Sequence, residues 1–313
     1  MTTPITLADH PDYRITLHRT KYRKEGVTPK MVITFGGQPA DLADSGFGTK
    51  FCLSSGWDTI YVTQRVHTQY QGLSIEAFWD AIAEQCEGRE VVCYGSSLGA
   101  YAALYYGGSL DARIVAAAPM LPAWKPLGLR PFADVEVTHQ PMADGPLSTS
   151  VPIVMYDPMI PNDLRIVKEM VQPAYPDARL VEVPFGGHTV LATLGKAQLL
   201  KDVIVSMIDD DVILNFERPG EGTATYHGEK ARYLMRTDKL AARAELEKSL
   251  VLAPSPRNLG ALIKLLISTR DLDAAQQLID RALSSGDPQM RIIQPVVEVA
   301  TVAGLRLQVE AAG

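Results

Sequence analysis

A serine flanked by glycines is the clearest chemical signal in the chain. Residues Gly95–Gly99 read Gly-Ser-Ser-Leu-Gly, so Ser97 has the G-x-S-x-G spacing. The apolar run Val91–Tyr94 leads into the first glycine, and the Ala- and Leu-rich residues 100–104 follow the second. This order predicts a strand, a sharp turn and a helix, with the serine hydroxyl standing above the strand ends. A hydroxyl held in this way is a candidate nucleophile for acyl transfer.

The residue after this serine could take part in the same chemistry. Leu98 would be the first residue of the predicted helix, and the first N–H groups of a helix have no partner within it. Its backbone N–H is therefore a candidate donor to the oxyanion that forms when a serine attacks a carbonyl. The alternative is a Gly/Ser turn whose only role is to start the helix.

The elements that must position Ser97 follow an alternating pattern up to about residue 205. Such a pattern predicts an α/β fold with a doubly wound, mostly parallel sheet. The first strands have no helix between them, which predicts an antiparallel hairpin at the sheet edge. The predicted strands are Tyr13–His18, Met31–Phe35, Ile60–Thr63, Val91–Tyr94, Ile114–Ala118, Ile153–Tyr156 and Leu180–Val183. The predicted helices are Ser74–Glu87, Leu98–Tyr106 and Asp163–Tyr175.

The motif Gly95–Gly99 in this setting resembles the α/β-hydrolase fold superfamily, and the resemblance covers roughly residues 13–208. It implies a serine hydrolase whose triad follows the chain order Ser, Asp or Glu, then His. The run Leu180–Thr189, a strand followed by Gly-Gly and a histidine, is similar to the strand-loop-His of that family. The resemblance therefore implies His188 as the base that takes the serine proton.

The acidic member of the triad has two candidates. Asp157 follows the predicted strand Ile153–Tyr156 and begins a D-P-x-x-P run that is similar to the family's pattern. We favour Asp157 as the carboxylate that orients the imidazole of His188. Asp163, six residues further on, is the alternative acid, or else the N-cap of the following helix.

The remaining site residues are expected on loops that follow other strands. The family uses a His-Gly or Gly-Gly turn after its first central strand, and the corresponding turn here implies Gly37 or Gln38 as the second oxyanion donor. Gln64 and Arg65 follow a predicted strand, and loops at the carboxyl ends of strands line the crevice of open α/β sheets. These two residues and Trp124 are candidates for contact with substrate. Solvated loop positions, or a core position for Trp124, are the alternatives.

Two stretches depart from the alternating pattern and define the domain organisation. Residues 121–150 hold five prolines and little periodicity, which predicts a cap or an irregular crossover within a hydrolase domain over 1–214. We predict a linker over residues 215–225. From 226 to 313 an internal offset of 33 residues, for example Asp238 to Asp271, resembles the tetratricopeptide repeat and predicts a smaller all-α domain.

Composition narrows the class of protein. The net charge is −6 and the chain has no basic stripe, which argues against a nucleic-acid partner. The sequence predicts no membrane span, no secretory signal, no metal site and no cofactor. The three cysteines Cys52, Cys86 and Cys93 lack metal-ligand spacing and fit reduced core thiols of a cytoplasmic protein.

Together these features predict a serine esterase or thioesterase that forms an acyl-enzyme on Ser97. An acyltransferase could use the same triad, and a non-catalytic scaffold could bind a protein partner through the helical repeats. The substrate would be a small acyl ester or thioester. Residues 226–313 would recruit a partner or associate with a second copy, which would suit an accessory enzyme acting on an acylated glycan or lipid intermediate.

Overall fold

The computed structural model describes residues 3–22, 29–39, 41–217 and 219–307. The chain forms two compact units. The first consists of Met1–Pro184 and His188–Pro219, and the second of Phe185–Gly187 and Gly220–Gly313. The division after Pro219 falls within the predicted linker at 215–225.

The first unit is built on one eight-stranded sheet. Its strands are β1 (Ile5–His10), β2 (Tyr13–His18), β3 (Met31–Phe35), β4 (Asp58–Gln64), β5 (Val91–Ser96), β6 (Arg113–Ala117), β7 (Ile153–Tyr156) and β8 (Arg179–Glu182). The order across the sheet is β1-β2-β4-β3-β5-β6-β7-β8. The pairs from β4 to β8 are parallel, whereas β1–β2 and β2–β4 are antiparallel. The prediction of an α/β fold with a mostly parallel sheet is confirmed.

The edge hairpin is formed by other strands than predicted. Tyr13–His18 does not pair with Met31–Phe35. It pairs with β1 on one side and, antiparallel, with β4 on the other. Strand β3 lies between β4 and β5 in the sheet. All five of its residues are buried, as expected for a central strand covered on both faces. Strand β1 was not predicted, since none of its residues is fully buried and its apolar pattern is weak.

Helices of the first unit cover both faces of the sheet. They are α1 (Thr49–Ser54), α2 (Ile75–Cys86), α3 (Leu98–Gly107), α4 (Pro161–Ile166), α5 (Gln172–Ala174), α6 (Val190–Lys196) and α7 (Leu200–Asp209). Successive side chains along β3 lie on opposite faces of the sheet. Ile33 packs in the core beneath α2 and α3, whereas its neighbour Val32 packs in the core beneath α1, α6 and α7. Strand side chains therefore contribute to two separate cores.

The second unit consists mainly of helices. They are α8 (Ala224–Leu234), α9 (Lys239–Leu252), α10 (Pro256–Ser268), α11 (Leu272–Ser284) and α12 (Gln294–Val302). Asp238 and Asp271, the residues related by the offset of 33, each cap a helix by accepting a hydrogen bond from the N–H three residues on. The relation of these helices to a tetratricopeptide repeat stays a prediction. None of the described helices is both long and apolar enough to cross a membrane.

Candidate active site

Ser97 lies in the turn between β5 and α3, in a backbone conformation that residues other than glycine rarely adopt. Its φ is 56° and its ψ is −123°. Such a conformation costs free energy and persists only where the surroundings impose it. Here the N–H of Ser97 donates to the carbonyl of Ala117 on β6 at 2.9 Å, and the carbonyl of Ser97 accepts from Met120 at 3.1 Å. The turn is thus fixed from both sides of the serine.

The two flanking glycines allow the close approach that this turn requires. A Cβ atom on Gly95 would lie 2.0 Å from the carbonyl oxygen of Gly99, and one on Gly99 would lie 2.4 Å from the carbonyl oxygen of Phe35. Neither position has space for a side chain. The G-x-S-x-G spacing is therefore a packing requirement of the junction where β5 enters α3 against β3.

Ser97, His188 and Asp163 form a continuous series of hydrogen bonds. The Oγ of Ser97 lies 2.8 Å from Nε2 of His188, and Nδ1 of His188 lies 2.8 Å from Oδ1 of Asp163. A carboxylate only accepts, so Nδ1 carries the proton and Nε2 is left to accept from the serine hydroxyl. Asp163 is fully buried, while the side chain of His188 is about one-third exposed. This arrangement can move a proton from the serine to the imidazole.

Of the two candidate acids, Asp163 is the one whose carboxylate contacts Nδ1 of His188, whereas the sequence favoured Asp157. Asp157 is fully buried at the end of β7, where its Oδ1 accepts the N–H of Met159 at 2.9 Å. This contact stabilises the turn after the strand. The carboxylate that contacts His188 is the alternative candidate, Asp163. It is not the N-cap of α4 either, because Ile160 is the cap residue and Asp163 belongs to the first turn.

Two of the expected oxyanion donors, Leu98 and Gly37, adjoin the turn that holds Ser97. Leu98 is the first residue of α3, immediately after Ser97. Gly37 adjoins the end of β5, since a Cβ at Gly37 would lie 3.8 Å from the carbonyl of Ser96. Gln38 is half-buried, and its side-chain nitrogen is buried with no hydrogen-bond partner among the described residues.

Two of the three predicted substrate contacts, Gln64 and Arg65, make contacts with neighbouring loops. Gln64 is fully buried, and its Oε1 accepts from the hydroxyl of Thr68 and the N–H of Tyr70, which fixes the loop after β4. Arg65 forms an ion pair with Asp12 at 2.7 Å and is more than half exposed. Neither residue has a contact with the Ser97 series among those described. Both were chosen because they follow a strand, and that criterion does not separate loop anchors from ligand contacts.

Trp124, the third predicted contact, lines a cavity of about 260 Å³. The lining is mainly apolar and includes Leu121, Val137 and Met170. Tyr101 also lines it, one helical turn after the serine, and its N–H donates to the carbonyl of Ser97 at 3.2 Å. This bond belongs to the first turn of α3, and Ser97, His188 and Asp163 are not among the residues that line the cavity. Three tyrosines in the sequence of α3 were the available signal for Tyr101, but the sequence does not indicate which of them faces a cavity.

A second residue missed by the sequence analysis holds the 121–150 segment in place. His139 stacks on Tyr105 at 4.1 Å between ring centroids, and its Nδ1 lies 2.8 Å from the hydroxyl of Tyr101. The side chain of Gln71 accepts the backbone N–H of His139 at 3.0 Å. Burial lowers the pKa of His139 to about 4, so the ring is neutral at neutral pH. The segment therefore follows a defined path over α3, although its prediction as a cap remains untested.

The cysteines are poor candidates for a competing nucleophile. All three are buried and free. Burial raises the pKa of Cys86 to about 11 and that of Cys52 to about 12, so these thiols stay protonated near neutral pH. Within the described ranges, no group of three or more His, Cys, Asp or Glu side chains is arranged to hold a metal ion.

Comparison with known proteins identifies similar solved structures at low sequence identity. No protein-family model matches the chain, and no curated protein matches it. Est1E from Butyrivibrio proteoclasticus is 10% identical, with a TM-score of 0.41, over 65% of this chain and 98% of that chain. Esterase 2 of Thermogutta terrifontis, phosphoramylated by tabun, is 14% identical, with a TM-score of 0.45, over 68% and 96%. An acylaminoacyl peptidase of Pyrococcus horikoshii is 10% identical, with a TM-score of 0.49, over 69% and 43%.

Proposed function

We propose that this chain is a serine hydrolase that cleaves an ester or thioester through an acyl-enzyme on Ser97. The observation that carries the proposal is the hydrogen-bonded series from Ser97 through His188 to Asp163, with 2.8 Å at each step. Nucleophile, base and orienting carboxylate within hydrogen-bond distance are what acyl transfer by serine requires. The strained conformation of Ser97 adds support, because such strain is commonly found at functional sites.

In the first half of the reaction, the Oγ of Ser97 attacks the carbonyl carbon as its proton passes to Nε2 of His188. The Nδ1–H of the resulting imidazolium is held by Asp163, which stabilises the positive charge. The tetrahedral oxyanion receives hydrogen bonds from the N–H of Leu98 and from Gly37 or Gln38. The bond to the leaving group then breaks, and His188 returns the proton to the departing alcohol or thiol.

In the second half, water replaces the leaving group. His188 takes a proton from the water as its oxygen attacks the acyl carbon, and a second tetrahedral intermediate forms. Collapse of this intermediate releases the carboxylic acid, and the proton on His188 returns to the Oγ of Ser97. The free enzyme is regenerated, with Ser97 and His188 in their starting protonation states.

The acyl part of the substrate is expected to be apolar. The cavity beside α3 is lined mainly by apolar side chains, including Trp124, Leu121 and Met170, and burial of apolar surface favours binding there by about 25 cal/mol per Å². Its volume of about 260 Å³ is near the lower end of small-molecule pockets, which start at about 300 Å³. We therefore expect a short to medium acyl chain.

Turnover of a series of p-nitrophenyl esters and acyl thioesters tests the proposal. Wild-type protein should hydrolyse at least one member with an initial burst of leaving group, which is the kinetic sign of an acyl-enzyme. Ser97→Ala should abolish turnover. Ser96→Ala is the matched control, because it removes a neighbouring hydroxyl outside the hydrogen-bonded series, and it should retain the burst. Equal turnover by wild type and Ser97→Ala would contradict the proposal.

A further inference from the structure

A groove in the second unit is lined mainly by residues of α10, with one residue each from α8, α9 and α12, and has a volume of about 470 Å³. Four of the lining residues are cationic: Arg232, Lys239, Arg257 and Lys264. None of the described residues that line it is acidic. This is unexpected in a chain whose net charge is −6, because a random surface patch would carry more acids than bases.

The positive charge of the groove is only partly neutralised. A single carboxylate, Glu229, contacts both guanidinium groups, Arg232 at 3.0 Å and Arg257 at 3.2 Å. Lys239 and Lys264 are exposed, and neither forms an ion pair with any residue that the structure describes. The one carboxylate thus contacts two of the four cations, the arginines, and neither lysine.

The two arginines are held close together at a cost. Burial lowers the pKa of Arg232, and although Glu229 raises it, the charge of Arg257 lowers it again. The Nη2 of Arg232 is fixed by the side-chain oxygen of Asn258 at 2.6 Å. The guanidinium is thus held in one orientation beside a like charge. An anion bound in the groove would relieve this repulsion.

The floor between the cations is apolar. Met235, Leu265, Ile293 and Val296 contribute to the lining. Close packing of α10 on α12 forms this floor, because Gly260 of α10 has no Cβ and one placed there would lie 2.7 Å from Val296. A ligand that fills the groove must therefore offer anionic groups at its edges and apolar groups at its centre.

We propose that the groove binds a segment of a partner protein in which acidic residues flank at least one large apolar side chain. Carboxylates of the segment would pair with Arg257, Lys239 and Lys264, and the apolar side chain would lie on the floor. An apolar floor favours a peptide over a nucleic acid, whose phosphates would leave that surface unpaired. This inference is independent of the hydrolase proposal, since it uses no residue of the Ser97 series.

The test uses the full chain and a set of short fluorescent peptides that combine several Asp or Glu residues with Leu or Phe, followed by fluorescence anisotropy. We expect saturable binding that weakens with added salt, because the contacts are between exposed charges. Replacing Leu and Phe by Ser in the peptide should also weaken binding. The double variant Lys239→Glu, Lys264→Glu should weaken it by about tenfold or more.

A matched control separates a local effect from net charge. Lys201→Glu with Arg281→Glu makes the same change of charge at two exposed residues outside the groove, and binding should stay close to wild type. The proposal is overturned if no peptide of the set binds saturably, or if both double variants weaken binding equally. Tighter binding of a single-stranded oligonucleotide than of any peptide would also overturn it.

Discussion

The Ser97 site and the cationic groove satisfy their polar groups in opposite ways. At Ser97, a hydroxyl, an imidazole and a carboxylate bond to one another within the chain, and the carboxylate of Asp163 is fully buried. In the groove, two arginines share Glu229 and two lysines lie exposed. A site completed by its own residues is prepared to act on a small molecule. A site with excess charge is completed by what binds to it.

The largest expected effect concerns which carboxylate completes the Ser97 site. Asp163→Asn should lower kcat by about 10,000-fold, because an amide cannot hold Nδ1–H of His188 in the required tautomer or stabilise the imidazolium. Asp157→Asn changes a carboxylate that supports a turn, and it should lower kcat by about tenfold or less. Ester turnover by the two variants measures both values. A larger loss for Asp157→Asn would move the orienting role back to that residue.

The next effect tests whether the strained turn depends on internal packing. Gly95→Ala should destabilise the first unit by roughly 3 kcal/mol and remove activity, because the new Cβ would overlap the carbonyl of Gly99. Denaturant unfolding measures the change in free energy. The control is Gly195→Ala in α6, where a Cβ would lie 3.8 Å from Leu200, and its stability should change little or rise. Equal stability of the two variants would refute the packing argument.

A third effect concerns the neutral histidine that anchors the 121–150 segment. The pKa of His139 is lowered to about 4 in the folded protein, against 6.5 for the free side chain, so the folded state binds fewer protons between these values. Its contribution to stability is therefore complete above about pH 6.5 and is lost as the pH falls towards about 4.

This linkage predicts that wild type loses roughly 2 kcal/mol of stability between about pH 8 and pH 5 through His139. His139→Gln has no such group, and its stability should fall by that much less over the same range. Unfolding curves of both proteins at the two pH values give the difference. Parallel pH dependence in the two proteins would show that His139 is not held neutral in the fold.

The smallest effect concerns the cavity beside α3. Trp124→Ala should raise KM for the longest acyl ester that wild type accepts by about tenfold, because part of the apolar wall is removed. KM for an acetyl ester should change much less, because a methyl group needs little of that wall. A uniform change for both esters would indicate that Trp124 acts on folding and not on the acyl chain.

Sequence reasoning succeeded where chemistry depends on neighbours in the chain. The turn at Ser97 was predictable because strand, glycines and helix follow one another within a short run, and the parallel sheet followed from alternating elements. It left two candidate acids, Asp157 and Asp163, which lie on the same stretch after β7, and it favoured the one that is not seen at Nδ1 of His188. Which of them reaches His188 depends on how the first turn of α4 is placed, and no local pattern encodes that distance.

Other features could not be predicted from the sequence either, because they depend on contacts between residues that are distant in the chain. Tyr101 and His139 are 38 positions apart and meet only after the 121–150 segment has folded over α3. In the groove, Arg257 and Lys264 are seven positions apart and therefore share a face of α10, which was a readable signal. The position of Arg232 in the same groove could not be predicted from the sequence, because it depends on how α8 packs beside α10.

The most direct test of the account is whether Ser97 is an activated nucleophile. Well-folded wild-type protein is treated with a fluorophosphonate probe, and the adduct is located by peptide mass spectrometry, beside Ser97→Ala and His188→Ala. The account predicts a single adduct on Ser97 in wild type and none in either variant, because the base must take the serine proton before the probe can react. An unlabelled wild type, or an adduct that persists in His188→Ala, would contradict it.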